Sequence, residues 1–461
     1  MRKSALLSLP ILFFILVFLL SCEKENPIGP DPEPDPPLAK NLIKANPNVS
    51  HQEMIGFGAA LTWWSDRVIN SPKRDELYAL MFEDLGMDIL RLKSWYYPQN
   101  YPENKSPAQM VSNGDRNMFL ATKEFFDKAK ATNPDIKVLL SSWGPPASLK
   151  SNNHLREGTL KKIDGEYVYD EFAQYWEDML DNLPFNPDFI SIQNEPGYTN
   201  PGWTTCAWAP VQNASLAGFD QAMDKVWDKI KGRSYVPEMV APEAENINAW
   251  NNFMQVLSQK NYLNYYGWHP YNFNENTPID QTNQPLSDIK NKYGQKPNIM
   301  TEYSNMSWLK TARFIHRALT RANTSAYIYW ELVWGDPNRT QYPMINIDGS
   351  GNYTVTGFYH LMKHFSKFID QGYTRIDASS SISYVEVSAY KNPNNTEITY
   401  VIINPDLREL EYEFEVEGKT VKTVKAFQSV EGDFFKETSG LNPNSKIKLF
   451  KNSITTVVVG L

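Results

Sequence analysis

The segments Ile190-Ser-Ile-Gln-Asn-Glu195-Pro196 and Asn298-Ile-Met-Thr-Glu302-Tyr303 each run from apolar residues into a glutamate. A strand buried in a parallel sheet reads as a nearly continuous apolar run, and barrel enzymes keep their chemistry at the C-terminal ends of such strands. Two glutamates that end different strands are the minimum apparatus for hydrolysing a glycosidic bond, one as proton donor and the other as nucleophile. The segments therefore predict a parallel barrel with Glu195 and Glu302 as its catalytic pair.

The chain around these segments alternates between strand-like and helix-like stretches, which predicts a (β/α)8 TIM barrel over residues 54–368. Glu195 and Glu302 end the fourth and seventh predicted strands, which face each other across a barrel mouth. The expected helices include Lys73–Leu85, Arg116–Ala131, Val168–Asn182 and Thr311–Ala322. The eight expected strands are Met54–Ala60, Met87–Lys93, Ile136–Trp143, Asp188–Asn194, Glu238–Pro242, Tyr265–His269, Asn298–Glu302 and Ser325–Trp330.

A different pattern follows the barrel. Residues 369–461 hold alternating or β-branched runs separated by Asn, Gly and Pro turns, which predicts a side antiparallel β-sandwich fused to the barrel. Residues 41–53 precede the first barrel strand, and we expect them to add an N-terminal strand to that sandwich. The expected sandwich strands are Val385–Ala389, Glu397–Ile403, Glu411–Val416, Thr420–Ala426, Lys446–Phe450 and Ser453–Val459.

The first 40 residues are of another kind. Two basic residues and an apolar run lead to Leu19-Leu20-Ser21-Cys22, which resembles the lipobox of a bacterial lipoprotein. We expect residues 1–21 to be a lipoprotein signal peptide and Cys22 to be lipidated. A plain secretory signal and a membrane anchor are the alternatives, but the apolar run is short for a membrane span and abuts a proline-rich tract.

Residues 22–40 predict a tether, because six prolines lie between Pro27 and Pro37 without apolar periodicity. Lipidation followed by a stiff spacer predicts export across the inner membrane. The catalytic body would then be lipid-anchored at a periplasmic or outer-membrane surface.

The amino-acid composition limits the classes of partner and ligand that we expect this protein to bind. The chain has 461 residues, 41% of them hydrophobic and 13% aromatic, so a large core leaves aromatic side chains available for stacking on sugars. The net charge of −8 becomes −10 once residues 1–21 are removed, and there is no long basic run, which makes nucleic acid a poor candidate partner. No metal-ligand spacing and no glycine-rich phosphate loop occur, so we expect no metal and no cofactor. A monomer that binds a polysaccharide is expected.

Other strand-end residues surround the predicted pair. Asn194 can bind a sugar 2-hydroxyl, and Arg91, a charge inside an apolar strand, can orient the nucleophile and hold it ionised. Arg91 could instead form a structural ion pair with another acid. Rival carboxylates at strand ends are Glu243, Glu245 and Glu331. Further substrate-binding candidates at strand ends are His269, Tyr271 and Tyr303.

At these residues the chain resembles glycoside hydrolase family 30, in particular the branch of bacterial endo-β-1,4-xylanases and glucuronoxylanases. The resemblance runs from about residue 41 to the C-terminus. It implies that Glu195 is the acid/base, that Glu302 is the nucleophile, and that Trp143 and Trp330 line sugar subsites. The matching stretches are GFGAALTWW (56–64), SSWGPPASLKSN (141–152), ISIQNEP (190–196), MTEYS (300–304), AYIYWELVWG (326–335) and HFSKFIDQGYTRIDA (364–378).

One stretch departs from that branch. Glucuronoxylan-specific members carry an arginine after the last barrel strand, whereas here Glu331-Leu-Val-Trp334-Gly-Asp336 has no arginine before Arg339. We therefore expect xylan hydrolysis without strict dependence on glucuronate branches, with Trp334 either stacking on the backbone sugar or forming a lid over it. The alternatives are a β-1,6-galactanase or β-1,6-glucanase of the same family, and a non-catalytic surface glycan-binding lipoprotein.

Overall fold

The computed structural model describes residues 41–94, 118–335 and 342–461, without the side chains of residues 118–121. The predicted signal peptide, Cys22 and the tether lie outside the described residues, as do Asp336 and Arg339.

Eight parallel strands close into a barrel, and the predicted fold class is confirmed. The hydrogen-bonded order follows the chain, because the last barrel strand pairs with the first. Each strand lies within three residues of its expected position. Strands are numbered in chain order over the described residues, with β1 in the side sheet. The barrel strands are β2 (Gly56–Leu61), β3 (Ile89–Lys93), β4 (Lys137–Ser141), β7 (Phe189–Ser191), β8 (Glu238–Ala244), β9 (Tyr265–Trp268), β10 (Asn298–Met300) and β11 (Ala326–Tyr329).

Apolar side chains fill the barrel interior, and close strand contacts hold it shut. Ala60, Ile89, Leu139 and Ile299 come from four different barrel strands and belong to one buried cluster. At Gly58 a Cβ atom would stand 1.6 Å from the carbonyl oxygen of Ile89, so only glycine permits this approach of β2 to β3. The interior is therefore a packed core, and chemistry is confined to the mouth.

Helices cover the outside of the barrel. The expected helix Lys73–Leu85 is split, because a π-helical stretch, Ala79–Asp84, follows its first turns. None of the helices in the described ranges is both long and apolar enough to cross a membrane. The α-helices are α1 (Ser65–Ile69), α2 (Arg74–Tyr78), α3 (Met118–Thr132), α4 (Tyr169–Asn182), α5 (Phe219–Ile230), α6 (Ile247–Leu257), α7 (Asn283–Tyr293), α8 (Trp308–Arg321) and α9 (Gly357–Ser366).

Within the part of the chain that the structure describes, the side sheet has nine strands and its own apolar core. Strand β1 pairs antiparallel with β15 and parallel with β18, so the segment before the barrel lies inside this sheet. The strands are β1 (Leu42–Glu53), β15 (Thr374–Ser380), β16 (Glu386–Lys391), β17 (Glu397–Asn404), β18 (Leu410–Val416), β19 (Thr423–Val430), β20 (Asp433–Glu437), β21 (Ile447–Leu449) and β22 (Ser453–Gly460). The sequence did not predict β15 or β20. It also did not predict the short strands β5 (Lys162–Ile163), β6 (Glu166–Tyr167), β12 (Val333–Trp334), β13 (Ile345–Ile347) and β14 (Tyr353–Val355).

Helix α9 joins the barrel to the side sheet. Its buried His364 has Nδ1 2.9 Å from the hydroxyl of Thr456 and Nε2 2.7 Å from the hydroxyl of Ser429. Both ring nitrogens of this histidine are thus satisfied by the sheet, and burial lowers its pKa to about 3. A neutral, fully hydrogen-bonded histidine fixes how the helix sits on the sheet.

Candidate active site

Glu195 and Glu302 meet at the mouth of the barrel. Glu195 follows β7, the fourth barrel strand, and Glu302 follows β10, the seventh. One carboxylate oxygen of each, together with a ring nitrogen of His269, lie within 4.8 Å of one another. The two strand ends named by the sequence therefore do bring their carboxyl groups together.

The backbone is strained at the fourth and fifth strand ends. Glu195 has φ 51° and Glu243 has φ 53°, in the left-handed region that non-glycine residues seldom adopt. The amide of Glu195 donates to the carbonyl of Glu243 over 3.0 Å, so the two unusual conformations are tied together. Strain of this kind, of order 1–2 kcal/mol per residue, typically persists where function requires it.

Both carboxylate oxygens of Glu302 accept a hydrogen bond. Arg91 Nη1 donates to Oε2 over 2.6 Å, and the Tyr271 hydroxyl donates to Oε1 over 3.0 Å. Burial raises the pKa of Glu302 above its usual value, while the positive charge of Arg91 opposes that shift. Burial raises the pKa of Tyr271 far above its ordinary range, so this phenol is a permanent donor. The arrangement presents an oriented carboxylate to the cavity.

Arg91 is fully buried, and among the described residues its guanidinium has polar contacts with four side chains and also lies 4.9 Å from the ring centroid of Trp143. Besides Glu302, its Nη2 donates to Asn194 Oδ1 over 2.6 Å, and its Nε lies 3.1 Å from the hydroxyl of Ser141 and 3.3 Å from Glu243 Oε1. The contacts of Arg91 are compatible with both interpretations offered by the sequence, since it hydrogen-bonds Glu302 and also forms an ion pair with Glu243, another strand-end acid. Because Asn194 Oδ1 is taken by Arg91, its amide NH2 remains to donate to a ligand.

The environment of Glu195 favours its protonated form. Burial raises its pKa to about 7, the charge of Arg91 opposes the shift, and the charge of Glu243 adds to it. His269 Nδ1 lies 3.2 Å from Glu195 Oε1, and burial lowers the pKa of His269 to about 4. The neighbour of Glu195 is thus a neutral imidazole. A carboxyl group that still holds its proton near neutral pH suits a general acid.

A cavity of about 620 Å³ contains both glutamates. Five of the predicted substrate-contacting residues line it, namely Trp143, Asn194, Tyr271, Trp330 and Trp334. Lining residues that the sequence did not single out as sugar contacts are Trp63, Trp64, Tyr198, Trp203, Glu245, Ser304 and Asn305. Trp63 and Trp64 stand in the GFGAALTWW stretch, and this position directly after the first barrel strand was a usable signal.

Two of the predicted substrate-binding residues, His269 and Tyr303, do not line the cavity. His269 is fully buried and lies behind the carboxylates, where it contacts Glu195 and does not line the cavity. Tyr303 is also fully buried. Its hydroxyl donates to the carbonyl of Phe273 over 3.1 Å, and the centroid of its ring lies 5.5 Å from that of Tyr271. Both residues support groups that face the cavity.

The three rival carboxylates have separate places. Glu243 is buried in the ion pair with Arg91, and its Oε2 accepts from the Ser141 hydroxyl over 2.9 Å. Glu245 lines the cavity, and burial raises its pKa. Glu331 lies outside the set of residues that line this cavity and hydrogen-bonds to Thr62 and Trp63.

Glu195, His269 and Glu302 also have the donor types that a metal ion accepts. The guanidinium of Arg91 and the phenol of Tyr271 already occupy both oxygens of Glu302. A cation would have to displace a fixed positive charge at 2.6 Å. The donor set therefore fits an acid and a nucleophile better than a metal centre.

A barrel with two glutamates at opposed strand ends, in an aromatic cavity, defines a glycoside hydrolase. No family model matches the chain. It is 26% identical over 451 residues to the glucuronoxylanase XynC of Bacillus subtilis, covering 91% of this chain and 92% of that protein. An endo-1,6-β-D-glucanase of Aspergillus fumigatus is 25% identical over 402 residues, covering 77% of this chain and 78% of that one.

Solved structures agree with these relatives. The family 30 subfamily 8 xylanase of Clostridium acetobutylicum superposes with a TM-score of 0.68 at 25% identity, over 91% of this chain and all of that one. A family 30 endoxylanase of Clostridium papyrosolvens gives a TM-score of 0.64 at 24% identity over 91% of this chain. The family resemblance predicted from the sequence is confirmed, and the chain is a glycoside hydrolase like those of family 30.

Proposed function

We propose that this glycoside hydrolase is a retaining endo-β-1,4-xylanase that works by double displacement, with Glu302 as nucleophile and Glu195 as acid/base. The observation that carries the proposal is the approach of the two carboxyl groups, whose nearest oxygens lie within 4.8 Å. Retaining enzymes hold their carboxyl groups about 5–5.5 Å apart, whereas inverting enzymes need about 6.5–9.5 Å to admit a water molecule. The short separation favours direct attack on the sugar.

In the first step the Glu302 carboxylate attacks the anomeric carbon while Glu195 gives its proton to the departing glycosidic oxygen. The products are a glycosyl ester on Glu302 and a shortened chain that leaves with a free hydroxyl. The pKa of about 7 keeps Glu195 protonated for this step at mildly acidic pH. Arg91 and Tyr271 hold Glu302 in place by hydrogen bonds of 2.6 and 3.0 Å.

In the second step Glu195, now ionised, takes a proton from water, which attacks the same carbon from the side that the leaving group vacated. The ester bond to Glu302 breaks and the original configuration returns. Asn194 lines the cavity. Its Oδ1 accepts a hydrogen bond from Arg91, so its amide NH2 is left to donate to the sugar 2-hydroxyl. Such a contact tightens in the oxocarbenium-like transition state.

Xylan is favoured as substrate by the relatives. The glucuronoxylanase of Bacillus subtilis aligns with 91% of this chain, whereas the 1,6-β-glucanase of Aspergillus fumigatus aligns with 77%. The second relative nevertheless makes β-1,6-glucan a specific alternative, and β-1,6-galactan poses a similar linkage. A non-catalytic glycan binder is the remaining alternative, although both carboxyl groups of a hydrolase are in place.

Independence from glucuronate branches is supported by the charges in the cavity. Among the described lining residues there are three carboxylates, Glu195, Glu245 and Glu302, and no lysine or arginine. A branch carboxylate buried there would lack a cation, which is unfavourable. We also propose that the enzyme is lipid-anchored through Cys22, on the lipobox and proline-rich tether alone.

The test is a product profile on glucuronoxylan, arabinoxylan, β-1,6-glucan and β-1,6-galactan, with the Glu302→Gln variant as control. We expect internal cleavage of both xylans by the wild type, no cleavage by the variant, and a β-anomer as the first product in proton NMR. An initial α-anomer would exclude retention. Equal reducing-sugar release by both proteins would exclude Glu302 as nucleophile.

A further inference from the structure

Five tryptophans form one side of the cavity, which we call the tryptophan wall: Trp63, Trp64, Trp143, Trp330 and Trp334. Their rings touch across three strand ends, with centroids 6.3 Å apart for Trp63 and Trp143, 6.2 Å for Trp143 and Trp330, and 6.1 Å for Trp64 and Trp334. Aromatic faces bind the apolar faces of sugar rings. The wall can bind a sugar only if the separate chain segments that carry its tryptophans keep fixed positions relative to one another.

Glu331 stands within the last of these segments and reaches to the first. A single oxygen, Oε1, accepts three hydrogen bonds: from the Thr62 amide at 3.0 Å, the Thr62 hydroxyl at 3.0 Å and the Trp63 amide at 2.9 Å. Leu332 extends the link, because its amide donates to the carbonyl of Ala60 over 2.8 Å. The segment with Trp330 and Trp334 is thus fastened to the segment with Trp63 and Trp64.

The three donors need an acceptor oxygen, and they do not need a full negative charge. Glu331 is 1% exposed, and burial raises its pKa to about 8, so it is largely protonated at neutral pH. The amine of Lys93 lies 3.9 Å from the ring centroid of Trp63, and burial lowers the pKa of Lys93 well below its ordinary value, so this side chain does not require a charged Glu331. A protonated carboxyl group and a side-chain amide both keep a carbonyl oxygen that can accept these bonds.

We propose that Glu331 is a positioning residue that aligns the tryptophan wall for glycan binding, an inference that rests on the proposed function. It acts through Thr62 and Trp63 and does not touch the reacting atoms. This role explains why a strand-end carboxylate next to Trp330 lies outside the cavity that holds Glu195 and Glu302.

The test compares two variants of nearly equal size. Glu331→Gln keeps an acceptor oxygen, whereas Glu331→Met keeps the volume and removes all three bonds. We expect Glu331→Met to raise KM for the hydrolysed glycan by about tenfold or more, with a smaller change in kcat, because each lost bond to a buried partner costs about 1 kcal/mol. Glu331→Gln should restore KM to within about threefold of wild type and leave the pH profile of kcat unchanged.

The role fails if Glu331→Gln is as inactive as Glu302→Gln, since the carboxyl group would then be catalytic. It also fails if Glu331→Met binds glycan as tightly as the wild type. Should Glu331→Met not fold, Thr62→Val, which removes only the hydroxyl donor, must still raise KM by a few fold. Acrylamide quenching of tryptophan fluorescence needs no turnover, and it must rise in Glu331→Met. If the wild type hydrolyses none of the four polysaccharides, the proposed function fails, while the quenching result still decides the positioning role.

Discussion

The guanidinium of Arg91 lies 2.6 Å from Oε2 of Glu302, and neither side chain exposes more than 8% of its surface. The same guanidinium lies 3.3 Å from Glu243, which is also fully buried. One cation therefore faces two carboxylates in a medium where an unpaired charge is costly. This geometry links the stability of the barrel mouth to the orientation of Glu302, the proposed nucleophile.

Replacement of Arg91 by Met should damage both properties. It leaves Glu243 and Glu302 buried without a cation, and breaking a buried ion pair in this way costs about 3–5 kcal/mol. We expect a loss of that size in the free energy of unfolding, measured by urea titration, together with a severe loss of kcat. Arg91→Lys is the matched control, because it keeps the charge but cannot reach Glu302, Glu243 and Asn194 together. Its stability and its kcat should fall between those of the wild type and of Arg91→Met. Wild-type stability in Arg91→Met would contradict the ion-pair account.

The pH dependence of kcat/KM should carry the signature of Glu195. Its pKa is raised to about 7 by burial, and the first step needs its proton, so activity should fall as the pH rises through about 7. Glu302 must be ionised, so activity should also fall in acid, at a pH above the usual range of a glutamate because burial raises its pKa. The measurement is kcat/KM from about pH 4 to about pH 9.

Glu195→Gln supplies the control for that profile. With substrates whose leaving groups need no proton, this variant should retain the first step and lose the alkaline limb. An alkaline limb that persists unchanged in Glu195→Gln would assign the titration to another group.

The sequence was sufficient to predict the barrel and to place Glu195 and Glu302 together at its mouth, since both depend on local patterns. Runs such as Phe189–Ser191 and Asn298–Met300 are short and mostly apolar and lead within four residues to a glutamate, and the barrel topology carries their ends to one mouth. The strands β15 and β20 were missed because TRIDASS and DFFKE carry too many polar residues for an apolar alternation. They are strands because neighbouring strands of the side sheet pair with them.

The sequence could not predict which strand-end side chains face the cavity and which are buried behind it. His269 and Tyr303 follow barrel strands as Tyr271 and Glu302 do. Tyr271 and Glu302 line the cavity, whereas His269 and Tyr303 are fully buried. Whether a side chain points at the cavity or packs behind a carboxylate depends on contacts between distant segments. The bond from Tyr303 to the carbonyl of Phe273, which orders the ring behind Tyr271, is one such contact.

Anchoring should be separable from catalysis. Cys22, which lies outside the described residues, is the expected site of lipidation, and a proline-rich tether separates it from the barrel. We expect Cys22→Ala to move the protein from the membrane to the soluble fraction without changing kcat, because the candidate catalytic residues Glu195 and Glu302 lie far along the chain from Cys22. Fractionation with an immunoblot, alongside activity on soluble xylan, measures both. Unchanged membrane association of the variant would rule out lipidation at Cys22.

Substrate choice gives the sharpest separation from the glucuronoxylanase relative. A bidentate contact between an arginine and a branch carboxylate is strong and geometrically strict, and it could make the branch obligatory. Here Val333 and Trp334 stand after the last barrel strand, and the described residues of the cavity contribute carboxylates and no cation.

We expect linear and arabinose-bearing xylans to be cleaved within about tenfold of the rate on glucuronoxylan. Chromatography and mass spectrometry of the products decide the matter. Products that all carry one methylglucuronate at a fixed position, with linear xylo-oligosaccharides left intact, would overturn this expectation. Arg339→Ala, at the nearest arginine in the sequence, would then be the variant to compare with the wild type.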